Sequence, residues 1–271
     1  KENMSIKEEK KLLYKGRDYS KVLYISGVAL RLSKSQNRKA MEFASAIASD
    51  ISGICGDVFS IQIVPPGWIH FELTHSTLAT WLQSVAIGSS GGDEGDEGDE
   101  GDEGTIDAQC PMPNAPCPMP NSLFAVQYAH ARCCSLVLLA HREGLIKLRE
   151  PVPNSSPAFW SVIAPNPIPW LNSDGTLRLN HSDECRLIAQ LVQVIDNIEC
   201  PDVGGSVKWE KVALNLSQAF EKFWSNCRIW GEVKITSPEV AQARLGLLMA
   251  TQSVLRFVLE ENLGVFAPLE L

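Results

Sequence analysis

Between Gly88 and Asn121 the chain abandons every pattern that a packed core requires. Gly-Ser-Ser-Gly-Gly is followed by four Gly-Asp-Glu units, and then by a duplicated Cys-Pro-Met-Pro-Asn that starts at Cys110 and again at Cys117. Neither helical nor strand periodicity survives there, and there is too little apolar surface to offset the entropy of ordering the backbone. Like charges repel and prolines stiffen, so the stretch is expected to form an extended tether. A three-residue acidic period supplies no turn that brings carboxylates together on one calcium ion. The two cysteines lack the short spacing and partner ligands of a structural zinc site. The chain must therefore fold as two parts. The expected layout is a basic arm over 1–18, a small α+β domain over 19–88, the linker over 89–121, and a helical bundle over 122–271 with a Pro-rich insertion at 150–180.

The repeat also dominates the electrostatics. Formal net charge is −8, but eight of the 32 acidic residues lie between Asp93 and Glu103, and without them acids and bases balance. Residues 1–40 carry eleven Lys/Arg against four Asp/Glu, so the basic end is the N-terminus. Eight scattered cysteines, with Cys133 and Cys134 adjacent on an expected helix, read as reduced thiols of a cytoplasmic chain. No apolar run is expected to approach the ~18–20 residues of a membrane span.

Upstream of the tether, Val22, Ile25, Ala29 and Leu32 suggest one helical face, and Met41, Ala44, Ala48 and Ile51 a second. Phe59, Ile61 and Ile63, then Pro65-Pro66-Gly67, then Ile69, Phe71 and Leu73, predict a hairpin or two neighbouring strands, followed by a helix over Leu78 to Val85. Downstream, four amphipathic stretches predict a bundle. The first begins after Asn121-Ser122 and aligns Val126, Ala129, Cys133, Leu136, Val137 and Ala140. The second begins at Ser182, buries Leu187, Ile188, Leu191, Ile195 and Ile198, and ends at Pro201. A third spans Trp209 to Trp230 with Gly231 as its C-cap. The last opens on Ser237-Pro238-Glu239 and stops near Gly264. Fold class is α+β.

The run Phe124-Ala-Val-Gln-Tyr-Ala-His-Ala-Arg132 resembles the opening helix of the DALR-type anticodon-binding domain of class I arginyl-tRNA synthetases. The resemblance continues through Ala219-Phe220-Glu-Lys-Phe223-Trp-Ser-Asn-Cys-Arg228, Ala243-Arg244-Leu245, Ala250-Thr251 and Leu263-Gly264-Val-Phe-Ala-Pro268. Ala29-Leu30-Arg-Leu32, Ala44 and Ala48, and Pro66-Gly67-Trp68-Ile69-His70-Phe71 are similar to the additional N-terminal domain of the same family, although the family usually carries Asn where His70 stands. The resemblance implies contact of the first domain with the D-loop corner of tRNA and of the bundle with the anticodon. Neither a His-x-Gly-His nor a Lys-Met-Ser-Lys type motif occurs, and a nucleotide-binding domain of ~250 residues does not fit between the two parts. The chain is therefore expected to be non-catalytic.

Candidate RNA contacts follow. Tyr128 and Arg132 are one helical turn apart, an aromatic to stack a base and a guanidinium to grip a phosphate, with Gln127 beside them. Trp224 and Arg228 repeat that pair on the third bundle helix, with Arg244 facing them from the fourth. Trp68 and His70 point outward from the strand after the Pro-Pro-Gly turn. Each of these residues has a structural reading too, as part of an ion pair or as cover for a neighbouring helix. No catalytic residue, metal site, cofactor or small-molecule substrate is expected. The leading expectation is binding of tRNA or another structured RNA, with modulation of aminoacylation in trans. A protein-interaction scaffold with decayed RNA contacts and one part of a split arginine-tRNA ligase are the alternatives.

Overall fold

The computed structural model describes residues 13–36, 38–87, 121–149, 162–200 and 207–271. The acidic repeat, the Cys-Pro-Met-Pro duplication and the first part of the Pro-rich insertion lie outside them.

The N-terminal unit is an antiparallel sheet carrying two helices. Strands β1 (Leu13–Lys15), β2 (Leu23–Ser26), β3 (Phe59–Val64) and β4 (Trp68–Leu73) lie in the order β1-β2-β4-β3. Helices α1 (Val28–Gln36) and α2 (Ala40–Cys55) contribute Ala29 and Ala44 to a small core with Ile69 and Phe71 of β4. The hairpin expected around Pro65-Pro66-Gly67 is present, with Ile61 opposite Phe71 and Ile63 opposite Ile69. Two expectations change. Val22 and Ile25 do not open a helix: Leu23–Ser26 forms a strand between β1 and β4, and the first helix starts only after Gly27. Alternating Leu23, Tyr24 and Ile25 suit a pleated surface, and pairing on both sides outweighs the weak helical period. Leu13–Lys15, inside the range expected for the basic arm, also pairs as the edge strand.

Helix α3 (His75–Ile87) closes the unit in sequence but not in space. Its Leu78, Ala79, Leu82 and Ala86 belong to the large core built by α4 (Asn121–Arg142), α5 (Ser182–Glu199), α6 (Trp209–Asn226) and α8 (Pro238–Phe257). A short helix α7 (Glu232–Thr236) links α6 to α8, and a π-helical turn (Val258–Asn262) extends α8. Polar contacts join the sheet to the same body: Tyr24 donates from its hydroxyl to Asp196 at 2.8 Å, and Lys15 Nζ donates to the Ala189 carbonyl at 3.0 Å. Burial and the Asp196 carboxylate together push the Tyr24 phenol upward, so it stays a donor.

Helix boundaries follow their caps. At α5 the His181 ring accepts from the Asp183 amide while the Glu184 carboxylate accepts from the His181 amide, a reciprocal cap that fixes the first turn. Helix α6 ends at Asn226, capped by Cys227 rather than by Gly231. Gly231, at φ 77°, instead turns the chain into α7.

Helix α4 is long and apolar enough to cross a membrane by length and composition, contrary to expectation. Its apolarity has a local use, because all six residues of its expected inner stripe are buried in the bundle.

The Pro-rich insertion packs where it is described. Strands β5 (Lys147–Leu148) and β6 (Val162–Ala164) pair, and Trp170, 3 % exposed, donates from Nε1 to Gln83 Oε1 on α3 at 2.7 Å. Its ring lies on α8 at Gly246, where an added Cβ would stand 2.6 Å from a ring carbon. The ring is locked by packing and by its hydrogen bond, so it has nowhere to go. Gly246→Ala should therefore lower stability by about 1–3 kcal/mol, read from urea unfolding, although alanine is the better helix former.

Candidate nucleic-acid interface

Helix α4 turns its buried stripe to the core and leaves Phe124, Tyr128 and Arg132 exposed on the opposite face, each one turn from the next. Arg132 lies over the Trp224 ring of α6, with its guanidinium carbon 5.4 Å from the ring centroid. Trp224 is half-buried and meets Trp230 edge to face at 5.7 Å. The structure thus joins three of the expected contacts, Tyr128, Arg132 and Trp224, into one aromatic and cationic surface. A guanidinium stacked on an indole keeps its N–H edge free for a phosphate while the ring restrains it. Arg228, just past the end of α6, is exposed as well.

Two other candidates build this surface instead of facing solvent. Arg244 is held from the inside: Nε donates to Glu184 Oε1 at 2.6 Å and Nη1 to the Arg228 carbonyl at 2.6 Å. Glu184 is 1 % exposed. One carboxylate therefore caps α5 and anchors an arginine that fixes the backbone of Arg228. Gln127 is buried and donates to the Phe266 carbonyl at 2.8 Å. Next to it, His130 Nδ1 lies 2.8 Å from the Pro268 carbonyl and Nε2 lies 2.9 Å from Gln252 Nε2. These partners require a neutral ring, donating from Nδ1 and accepting at Nε2. The C-terminal segment is thereby latched along α4, and Phe266, whose carbonyl Gln127 holds, is 73 % exposed. Phe124 and Phe266 were not among the expected contacts. Phe124 sits one turn before Tyr128, so its helical spacing could have found it; Phe266 depends on a tail contact that no local pattern encodes.

In the N-terminal unit, Trp68 is 36 % exposed and its ring covers Gly27, where a Cβ would approach to 2.9 Å. His70 is half-buried between Ile25 and Gln62 in the sheet. No contact joins these two residues to the α4–α6 surface among the described residues.

Nucleophilic chemistry is disfavoured at the cysteines that meet histidines. Cys134 Sγ lies 3.8 Å from His130 Nε2, and Cys227 Sγ lies 3.4 Å from His181 Nδ1. Burial pushes both thiols up to about 12, and burial lowers His130. Both thiols are then held in the neutral form, so no thiolate is available. Among the described residues no group of three His, Cys, Asp or Glu is placed to hold a metal ion.

Residues 126–271 match the family described as DALR anticodon binding domain. The chain belongs to this family. It is 31% identical over 144 residues to an arginine-tRNA ligase of Synechococcus sp., a match covering 53% of this chain and 21% of that protein. A ligase of the same name from Moorella thermoacetica is 32% identical over 151 residues, covering 54% and 22%. The chloroplastic/mitochondrial arginine-tRNA ligase of Arabidopsis thaliana is 30% identical over 131 residues, covering 48% and 16%. The chain thus spans about a fifth of the length of the curated relatives it matches. No solved structure matches it.

Two tests address the residues that hold this DALR surface. Glu184→Ala would strand Arg244 and remove the α5 cap, and is expected to cost about 3–5 kcal/mol in urea unfolding. His130 has a folded-state pKa below the ordinary ~6.5 of histidine. The unfolded chain then binds the proton first, so stability should decline as pH falls from about 6.5 toward 5 and be unaffected by this group above 7. Replacing His130 by Gln should flatten that part of the urea-midpoint curve; an unchanged slope would contradict the latch.

Proposed function

We propose that this chain is a non-catalytic RNA-binding protein of the arginyl-tRNA-synthetase type whose bundle engages tRNA through the α4–α6 surface. The observation that carries the reading is Arg132 stacked on Trp224 beside exposed Tyr128, inside the segment that matches an anticodon-binding family. Exposed rings accept unstacked bases of a loop, and a restrained guanidinium accepts the phosphate that follows. Phe124 extends the platform by one turn of α4, and exposed Phe266 is available on the tail that Gln127 holds to the same helix. Arg244 and Gln127 serve it from beneath, by holding Arg228 and the tail in place.

Support for a non-catalytic role is in the primary structure. The N-terminal unit and the bundle are separated by residues 88–120, which cannot accommodate a nucleotide-binding domain, and the phosphate-stabilising motifs of class I adenylation do not occur. Modulation of aminoacylation in trans is the role such a chain can fill, by holding or presenting tRNA.

A filter-binding titration of the protein against total tRNA, at low and physiological salt, tests the reading. Binding in the micromolar range that weakens with salt is expected. Tyr128→Ala combined with Arg132→Gln should reduce affinity about tenfold or more at unchanged thermal stability, since both side chains are exposed. Absence of salt-sensitive binding by the wild-type protein ends the proposal, and partners recovered from lysate that survive nuclease treatment would favour the scaffold reading instead.

A further inference from the structure

On the far side of α6 from Trp224, a groove of about 240 Å³ opens between α5 and α6 and is walled by the turn before β2. Tyr19, Arg186, Gln190, Asn215, Gln218 and Lys222 line it. Lys222 and Trp224 are two residues apart on one helix, about 200° around its axis, so the groove and the Arg132 surface occupy opposite faces. We infer that this groove is a second RNA contact, taking the sugar–phosphate backbone of the strand.

The lining is chemically one-sided. Arg186 and Lys222 supply two cations, and Gln190, Asn215 and Gln218 supply three carboxamides with no hydrogen-bond partner among the described residues. No carboxylate lines the groove. Two acids in neighbouring sequence are engaged elsewhere: Asp18 accepts from Ser20 at 2.9 and 2.7 Å, and Asp183, one turn before Arg186, accepts from Asn226 at 2.8 Å; Glu221, beside Lys222, is exposed outside the lining. Arg186 is steadied over the Tyr19 ring, its guanidinium carbon 5.2 Å from the centroid. Two unneutralised cations in a concavity concentrate polyanions, and amides that both donate and accept suit phosphate oxygens and ribose hydroxyls without reading a base edge. The volume lies below the ~300–1,000 Å³ of ordinary small-molecule pockets, which favours a passing strand over a resident cofactor. Three segments distant in sequence meet here, so the site exists only when the N-terminal unit is docked on the bundle.

This inference rests on the RNA-binding reading, and one experiment separates their fates. Salt-dependent filter binding of total tRNA is compared between the full-length wild type and the Arg186→Gln, Lys222→Gln double variant. Both side chains are exposed, so folding is expected to be unaffected, and a thermal melt checks it. The variant should bind about tenfold more weakly at low salt, with a log–log salt slope shallower by about two. Wild-type binding with an identical slope in the variant overturns the groove and leaves the α4–α6 surface standing; no wild-type binding overturns both. Titration with AMP alone, followed by NMR of the side-chain amides, distinguishes the source of the phosphate. Saturation well below millimolar AMP, without any effect of tRNA on those signals, would assign the groove to free nucleotides and overturn the strand assignment.

Discussion

Helix α8 is the constraint on which the rest of the molecule depends. From Leu245 to Gln252 every residue is buried, so the helix has no solvent face over two turns. Helices α3, α4, α5, α6 and α7 all pack against it. A helix surrounded in this way needs small residues where neighbours approach closely, and Ala241, Ala243, Gly246 and Ala250 provide them. The large residues between them, Leu245, Leu247, Leu248 and Leu255, fill the spaces left by the approaching helices. Because α3 comes from the N-terminal half, this packing also fixes the sheet against the bundle. The two parts are joined through a shared core as well as through the acidic stretch between them.

Around that centre, buried polar groups set which side chains reach the surface. Glu184 and His130 each serve two masters: the first caps α5 and holds Arg244, the second binds the tail and accepts from Gln252. Such groups are costly to bury and therefore demand their partners. Their effect is to fix the backbone at Arg228, through Arg244, and at Pro268. The exposed aromatic and cationic residues are positioned by neighbours that never touch solvent, which is how a helical bundle presents a defined surface without loops.

Much of this was legible in residue spacing. The inner stripe of α4 is legible because its period is regular and its residues small or aliphatic, and all six of its members are buried. The strand Leu23–Ser26 was not, since four residues between a turn and a glycine carry too little pattern to distinguish alternation from the start of a helix. Exposure of Tyr128 and Arg132 followed from their offset from the stripe. That Arg244 turns inward to Glu184 could not be read, because the two are sixty positions apart and only the bundle brings them together. Gln127 shows the limit most sharply: adjacent to Tyr128 and polar, it nevertheless points into the protein, where a tail carbonyl awaits it.

The charge of the whole chain is a poor guide to what its faces attract. A net −8 would repel a polyanion at long range, but charges separated by more than ~8 Å in physiological salt are largely screened, so a ligand at the surface feels only its neighbours. On the α4–α6 face those neighbours include rings, a guanidinium restrained by an indole, and exposed Arg228. Stacking of bases on aromatic side chains draws on dispersion and burial and requires no net positive charge. An overall acidic protein can then hold a loop by its bases first and its phosphates second. Such a surface would lose less affinity with added salt than one built from lysines, because fewer counterions are released on binding.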